Sequence, residues 1–157
     1  MYFRTLTILH TALLAGQLFF VAIIYFVYRS RGYGSLNYPG RGDLYFYIAF
    51  AVVFATALAS YYLYQSKVEQ AKGKPTLGAI LADYQGAMLI RDACLEGTSL
   101  LCTIAFFITG NERYLALTGM IILIFLIWWP TRHKVIADLA LEGDFRSRLE
   151  EPDAVVD

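Results

Sequence analysis

Long apolar stretches separated by short polar ones give this chain its pattern. Four of them, at 6–28, 44–64, 88–109 and 114–129, run apolar for close to the length of a membrane span. A helix rises about 1.5 Å per residue, so about 20 such residues cross a hydrocarbon core of about 30 Å. The segment between the first two, 29–43 (RSRGYGSLNYPGRGD), holds glycines and Pro39, which favour turns over helix. After span two comes a polar stretch, 65–74, ending at Pro75. Thr76 is a good N-cap, and no strong breaker follows it before Gly110, so the third helix is predicted to be about 50 Å long. That exceeds the bilayer core, and its first turns, 77–85, are expected to project into water or lie along the interface.

Gly110-Asn111 predicts a tight reversal into span four, which Pro130 ends. Thr131 can cap a short amphipathic helix over about 131–141, with Val135, Ile136 and Leu139 as its apolar stripe. The expected fold is all-α: an integral membrane four-helix bundle with a long third helix projecting to the cytoplasm and a short C-terminal interfacial helix. One domain, 1–143, is followed by a flexible charged tail, 144–157.

Composition sharpens this picture. Of the 157 residues, 58% are hydrophobic, more than a soluble domain of this size usually carries, and mean hydropathy is +0.51. Charge balances at 13 basic and 13 acidic residues, which gives no electrostatic footprint for nucleic acid. The first apolar stretch is too long for a signal-peptide core and lacks an A-x-A site, so it reads as a membrane helix. Basic residues set the orientation. Arg4, Lys67, Lys72, Lys74, Arg91, Arg132 and Lys134 fall on one side, against Arg29, Arg31, Arg41 and Arg113 on the other. Both termini are therefore expected in the cytoplasm of a bacterial cell, with the chain in the inner membrane and Trp128 and Trp129 in the inner interfacial belt.

The polar residues inside the spans are the candidate chemistry. Ionisable groups at bilayer depth are costly and normally face a bundle interior, a watery cavity or a partner. Asp92, Glu96, Ser99 and Thr103 recur at i, i+4, i+7 and i+11 on span three, so they share a helix face. His10 and Gln17 share a face of span one, and Ser60 and Tyr64 lie near the inner end of span two. Register predicts an intramembrane polar layer built from His10, Gln17, Ser60, Tyr64, Asp92, Glu96 and Ser99. Glu96 is its first functional suspect: either a proton or cation site titrating with His10, or a structural lock bonded to His10, Ser60 or Tyr64. Arg91, beside the stripe, is expected to snorkel to the headgroups. Cys94 and Cys102 read as small buried apolar residues.

No glycine-rich phosphate loop, H-E-x-x-H, Cys/His metal pattern or G-x-S-x-G occurs, so no catalytic set, cofactor or metal is expected. The segment 29–43 exceeds the usual helix–helix connection of about two to eight residues, and Arg31, Tyr33, Tyr38 and Arg41 are residue types favoured at interfaces. They are candidate partner contacts.

Leu95-Glu96-Gly97, then Phe106-Phe107-Ile108-Thr109-Gly110-Asn111, then the run 130–139 (PTRHKVIADL) occur in that order. Together they resemble a family of uncharacterised small bacterial membrane proteins with L-E-G, F-x-x-T-G-N and P-T-x-x-K-x-x-x-D-L motifs. The resemblance covers about 84–141 and implies the four-span topology, but brings no established activity. The motif residues also have structural readings, including an i, i+4 pair of Lys134 with Asp138. The expected function is non-enzymatic: a scaffold or accessory subunit, in contact with membrane lipids and packed against itself or a larger membrane complex. The alternative is an oligomeric ion or proton channel or transporter using Glu96.

Overall fold

The computed structural model describes residues 2–30 and 42–140. Among them are five helices and no strand: α1 (Tyr2–Ser30), α2 (Gly42–Lys72), α3 (Leu77–Thr109), α4 (Arg113–Ile127) and α5 (Arg132–Leu139). The predicted partner-contact residues Arg31, Tyr33, Tyr38 and Arg41, and the tail 144–157, lie outside the described residues. Contacts along the rods fix their directions. His10 of α1 meets Asp92 of α3 at one end, and Tyr28 meets Phe106 toward the other, so α1 and α3 are parallel. Tyr64 meets Tyr84 beside the short α2–α3 connection, while Phe46 meets Tyr114 at the opposite end, so α2 and α4 run antiparallel to α3. The end that carries the start of α1, the α2–α3 connection and α5 is called the near end below.

Three helices are long and apolar enough to cross a membrane: α1, α2 and α3. A fourth span is present if α4 and α5, bent by 82° at the break between them, count as one. With 15 residues, α4 alone extends only about 22 Å, short of a typical hydrocarbon core.

α3 is the hub. It packs along α1, α2 and α4, whereas α1 and α2 make no extended contact with each other. Fourteen of the 33 residues of α3 are buried. With about 100° of turn per residue, they occupy an arc of about 160° that runs from Ala87 round to Thr103. α2 is used differently. Its buried positions Val53, Ser60, Tyr64, Val68 and Ala71 follow a three-four spacing that makes one narrow seam against α3.

The polar stretch after span two is not a connection, because α2 continues through it to Lys72. Val68 and Ala71 carry the seam onward, and Lys72 pairs with Glu69 at 2.8 Å on the solvent side. This changes the start of α3 as well. Leu77, Ile80, Leu81 and Tyr84 do not project alone; they are buried against the extended α2, Leu6, and Val135 and Leu139 of α5. The termini follow local rules. The Thr76 hydroxyl accepts from the Ala79 N–H at 3.3 Å, and Thr131 does the same for Lys134 at 3.3 Å. Gly110 closes α3 in the left-handed region at φ 68°. A Cβ there would come 2.5 Å from Tyr28 Oη, so glycine is required twice over.

Candidate functional site: a charged layer where α4 ends

The first element of the site is the C-terminal end of α4. The last carbonyls of a helix have no partner within it. Pro130 cannot continue the hydrogen-bond ladder, and the Trp129 N–H bonds Leu126 at 3.4 Å rather than Phe125. The Phe125 carbonyl is therefore available, and His10 Nε2 donates to it at 3.1 Å. A carbonyl only accepts, so Nε2 must carry hydrogen. The other ring nitrogen, Nδ1, lies 2.7 Å from Asp92 Oδ2, within hydrogen-bonding distance of that carboxylate oxygen. His10 is 0% exposed and Asp92 1%. The imidazole is also walled by Phe125 and Trp129, each with its ring centroid 5.3 Å away.

Asp92 uses its second oxygen on its neighbour in sequence. Arg91 donates to Oδ1 from Nε at 3.0 Å and from Nη2 at 2.9 Å. Arg91 does not snorkel; it is only 3% exposed. Its guanidinium lies between the Tyr64 ring at 4.7 Å and the Trp128 ring at 4.8 Å, a desolvated cation between two π faces. Trp128 and Trp129 thus wall the charged layer from inside, in place of forming only an interfacial belt.

Tyr64 links the layer to α5. Its hydroxyl donates to Asp138 Oδ2 at 2.6 Å, and the Tyr84 hydroxyl reaches the same oxygen at 3.2 Å. Asp138 is therefore held by two tyrosines and not by Lys134 at i−4. Lys134 stays half-buried, and burial first and the nearby Arg91 second lower its pKa below the ordinary lysine value.

The structure places five of the residues singled out from the sequence pattern in two groups. His10 and Asp92 bond directly; Tyr64 joins them through Arg91; Ser60 is fully buried nearby on the seam of α2 but donates only to the Ala57 carbonyl at 2.9 Å. Gln17 and Ser99 are buried farther from the near end, and the Ser99 carbonyl accepts from Thr103 and Thr118. Glu96 stands apart. It is half-buried and makes no hydrogen bond or ion pair among the described residues. Its angle explains this. Ser99 and Thr103 fall within about 20° of Asp92 round the helix, but Glu96 is offset by about 40° toward the exposed Ala93 and Gly97. Neither His10, Ser60 nor Tyr64 is its partner.

Sequence reasoning passed over Arg91, Tyr84 and Asp138 as members of one cluster. A signal for Arg91 was present: Tyr84, Met88, Arg91, Leu95, Thr98 and Cys102 keep a three-four spacing in which Arg91 takes an apolar position. Cys94 and Cys102 are free thiols, and no group of three His, Cys, Asp or Glu side chains among the described residues stands close enough to hold a metal. Between α2 and α4 an apolar cleft of about 230 Å³ opens sideways, lined by Phe54, Ala57, Leu58, Tyr61, Ile124 and Trp128 among others.

Fold and site together define an all-helical protein of the multi-pass membrane type, with a charged layer closed inside its helices. Compared with known protein families, curated proteins and solved structures, the chain matches none.

Proposed function

We propose that this chain is a four-span membrane protein with both termini and α5 on the cytoplasmic side, and that it acts as a non-enzymatic scaffold or accessory subunit of a membrane complex. One observation carries the reading: the buried ionisable groups are spent on one another. His10, Asp92 and Arg91 form one cluster, and Asp138 is taken by Tyr64 and Tyr84. Acid–base work needs a group within reach of a substrate, and here those groups instead tie α1, α3, α4, α2 and α5 into one rigid unit. Around it, α1 and α2 leave long apolar flanks without extended mutual contact. In a bilayer such flanks face lipid or another subunit. Native mass spectrometry from nanodiscs tests the reading: a stoichiometric partner or a defined oligomer is expected, and a lone monomer contradicts it.

A second reading rests on Glu96, the ionisable group of α3 left unengaged within the span. An oligomer that lines a path with this carboxylate would carry protons or cations. Vesicle flux abolished by Glu96→Gln, with the fold intact, is the outcome that reading requires.

A further inference from the structure

The α1–α3 interface holds a second polar tier that the charged layer does not use. Gln17 and Ser99 are both 0% exposed, yet Gln17 Nε2, Gln17 Oε1 and Ser99 Oγ have no protein hydrogen-bond partner. Register places the two residues opposite each other. His10 and Asp92 touch across parallel helices, and Gln17 and Ser99 each lie seven residues further along, two turns on the same seams. The tier is therefore about 10 Å beyond the His10–Asp92 pair.

The neighbouring hydroxyls are already engaged. Thr103 donates to the Ser99 carbonyl at 2.9 Å, and Thr118 lies 3.3 Å from Thr103 and 3.2 Å from the Tyr114 carbonyl. The unmatched inventory is then one amide NH₂, one amide oxygen and one hydroxyl. Buried polar groups of this kind are nearly always satisfied, by protein or by ordered water. A cation would suit the oxygens and be repelled by the NH₂; an anion would suit the donors and leave the amide oxygen unmet. Water supplies donors and acceptors together.

We propose that Gln17 and Ser99 form an internal water site, in which at least one buried water molecule bridges the Gln17 amide and the Ser99 hydroxyl. On the far side Phe106, fully buried and ringed by Tyr25 and Tyr28, closes the site from the other end of the helices. The α1–α3 seam thus has an ionic tier near the end of α4, a hydrated tier beyond it, and an aromatic closure. The inference is independent of whether the chain has a partner.

The test is a water-to-amide NOE measurement on the intact protein in nanodiscs, deuterated and labelled with ¹⁵N only in glutamine side chains. Gln17→Asn, which keeps an amide but loses the label, assigns the Gln17 signal. The expected result is a direct, long-lived water cross-peak at the Gln17 NH₂ that Ser99→Ala reduces at least twofold. A resolved Gln17 signal with no water cross-peak would overturn the proposal, as would a cross-peak that Ser99→Ala leaves unchanged. If Ser99→Ala does not fold, Ser99→Thr, which retains the hydroxyl, must preserve the cross-peak; its loss there overturns the shared site.

Discussion

The near end and the far end of this molecule are held together by different physics. At the near end Leu6, Val68, Leu77, Leu81, Met88, Val135 and Leu139 make a core of four elements, and its outer face carries Glu69, Lys72, Lys74 and Asp83. That is the pattern of a small soluble domain, where apolar burial itself drives association. At the far end Leu14, Leu95, Phe106, Leu117 and Ile121 form the core, but the outer face is equally apolar, with Phe19, Phe26, Phe54, Ile108 and Leu123 exposed. Lipid solvates those side chains as well as a core does, so helix contact there gains little from apolar transfer and depends on close packing and polar bonds. The charged layer lies between the two regions. It gives the far region the specific contacts that the hydrophobic effect does not supply, and it fixes the height at which α1, α3 and α4 meet.

The contrast can be broken most forcefully at Asp92. Asp92→Ala leaves Arg91 and His10 buried without their carboxylate, and unpairing a buried charge costs about 3–5 kcal/mol. Reversible unfolding in mild detergent should show a loss of that order, with α1 released first as judged by proteolysis of α1. Gly110→Ala comes next. It places a Cβ at positive φ and against Tyr28, so a loss of about 2 kcal/mol is expected by the same assay, partly recovered when Tyr28 is shortened to Leu. Tyr64→Phe removes one hydroxyl bond to Asp138 while keeping the ring over Arg91, and should cost about 1 kcal/mol. Glu96→Gln is the smallest: with no partner to lose, stability should move by less than about 0.5 kcal/mol. A large loss there would mean that Glu96 has a partner within the assembled protein.

Much of this was legible from residue pattern. Apolar runs marked the helices, Thr76 and Thr131 capped as their type dictates, and Gly110 turned. Depth alone put His10 and Asp92 in one polar layer, but it offered His10 to Glu96 as a partner, whereas His10 bonds Asp92. Other features were hidden for definite reasons. Polarity at 65–72 masked a continuing helix, since its apolar seam is only two residues, Val68 and Ala71, wide of charge. Arg91 was misplaced because an arginine near the end of an apolar span is cheapest in water unless a carboxylate and two aromatic faces receive it, and those come from α2, α3 and the end of α4. Glu96 drew attention through its depth, but a 40° offset on a helix separates a seam position from a flank, and spacing alone does not reveal which side the hub buries.

The most direct measurement is a double-mutant cycle on His10→Ala and Asp92→Ala, read by unfolding free energy in the same mild detergent. If the charged layer is an internal lock, the two side chains are coupled by at least about 1 kcal/mol, the double variant losing less than the sum of the single losses. Strict additivity would contradict the account: it would show that the pair does not hold the helices together, and that these two buried groups are kept for something other than the fold.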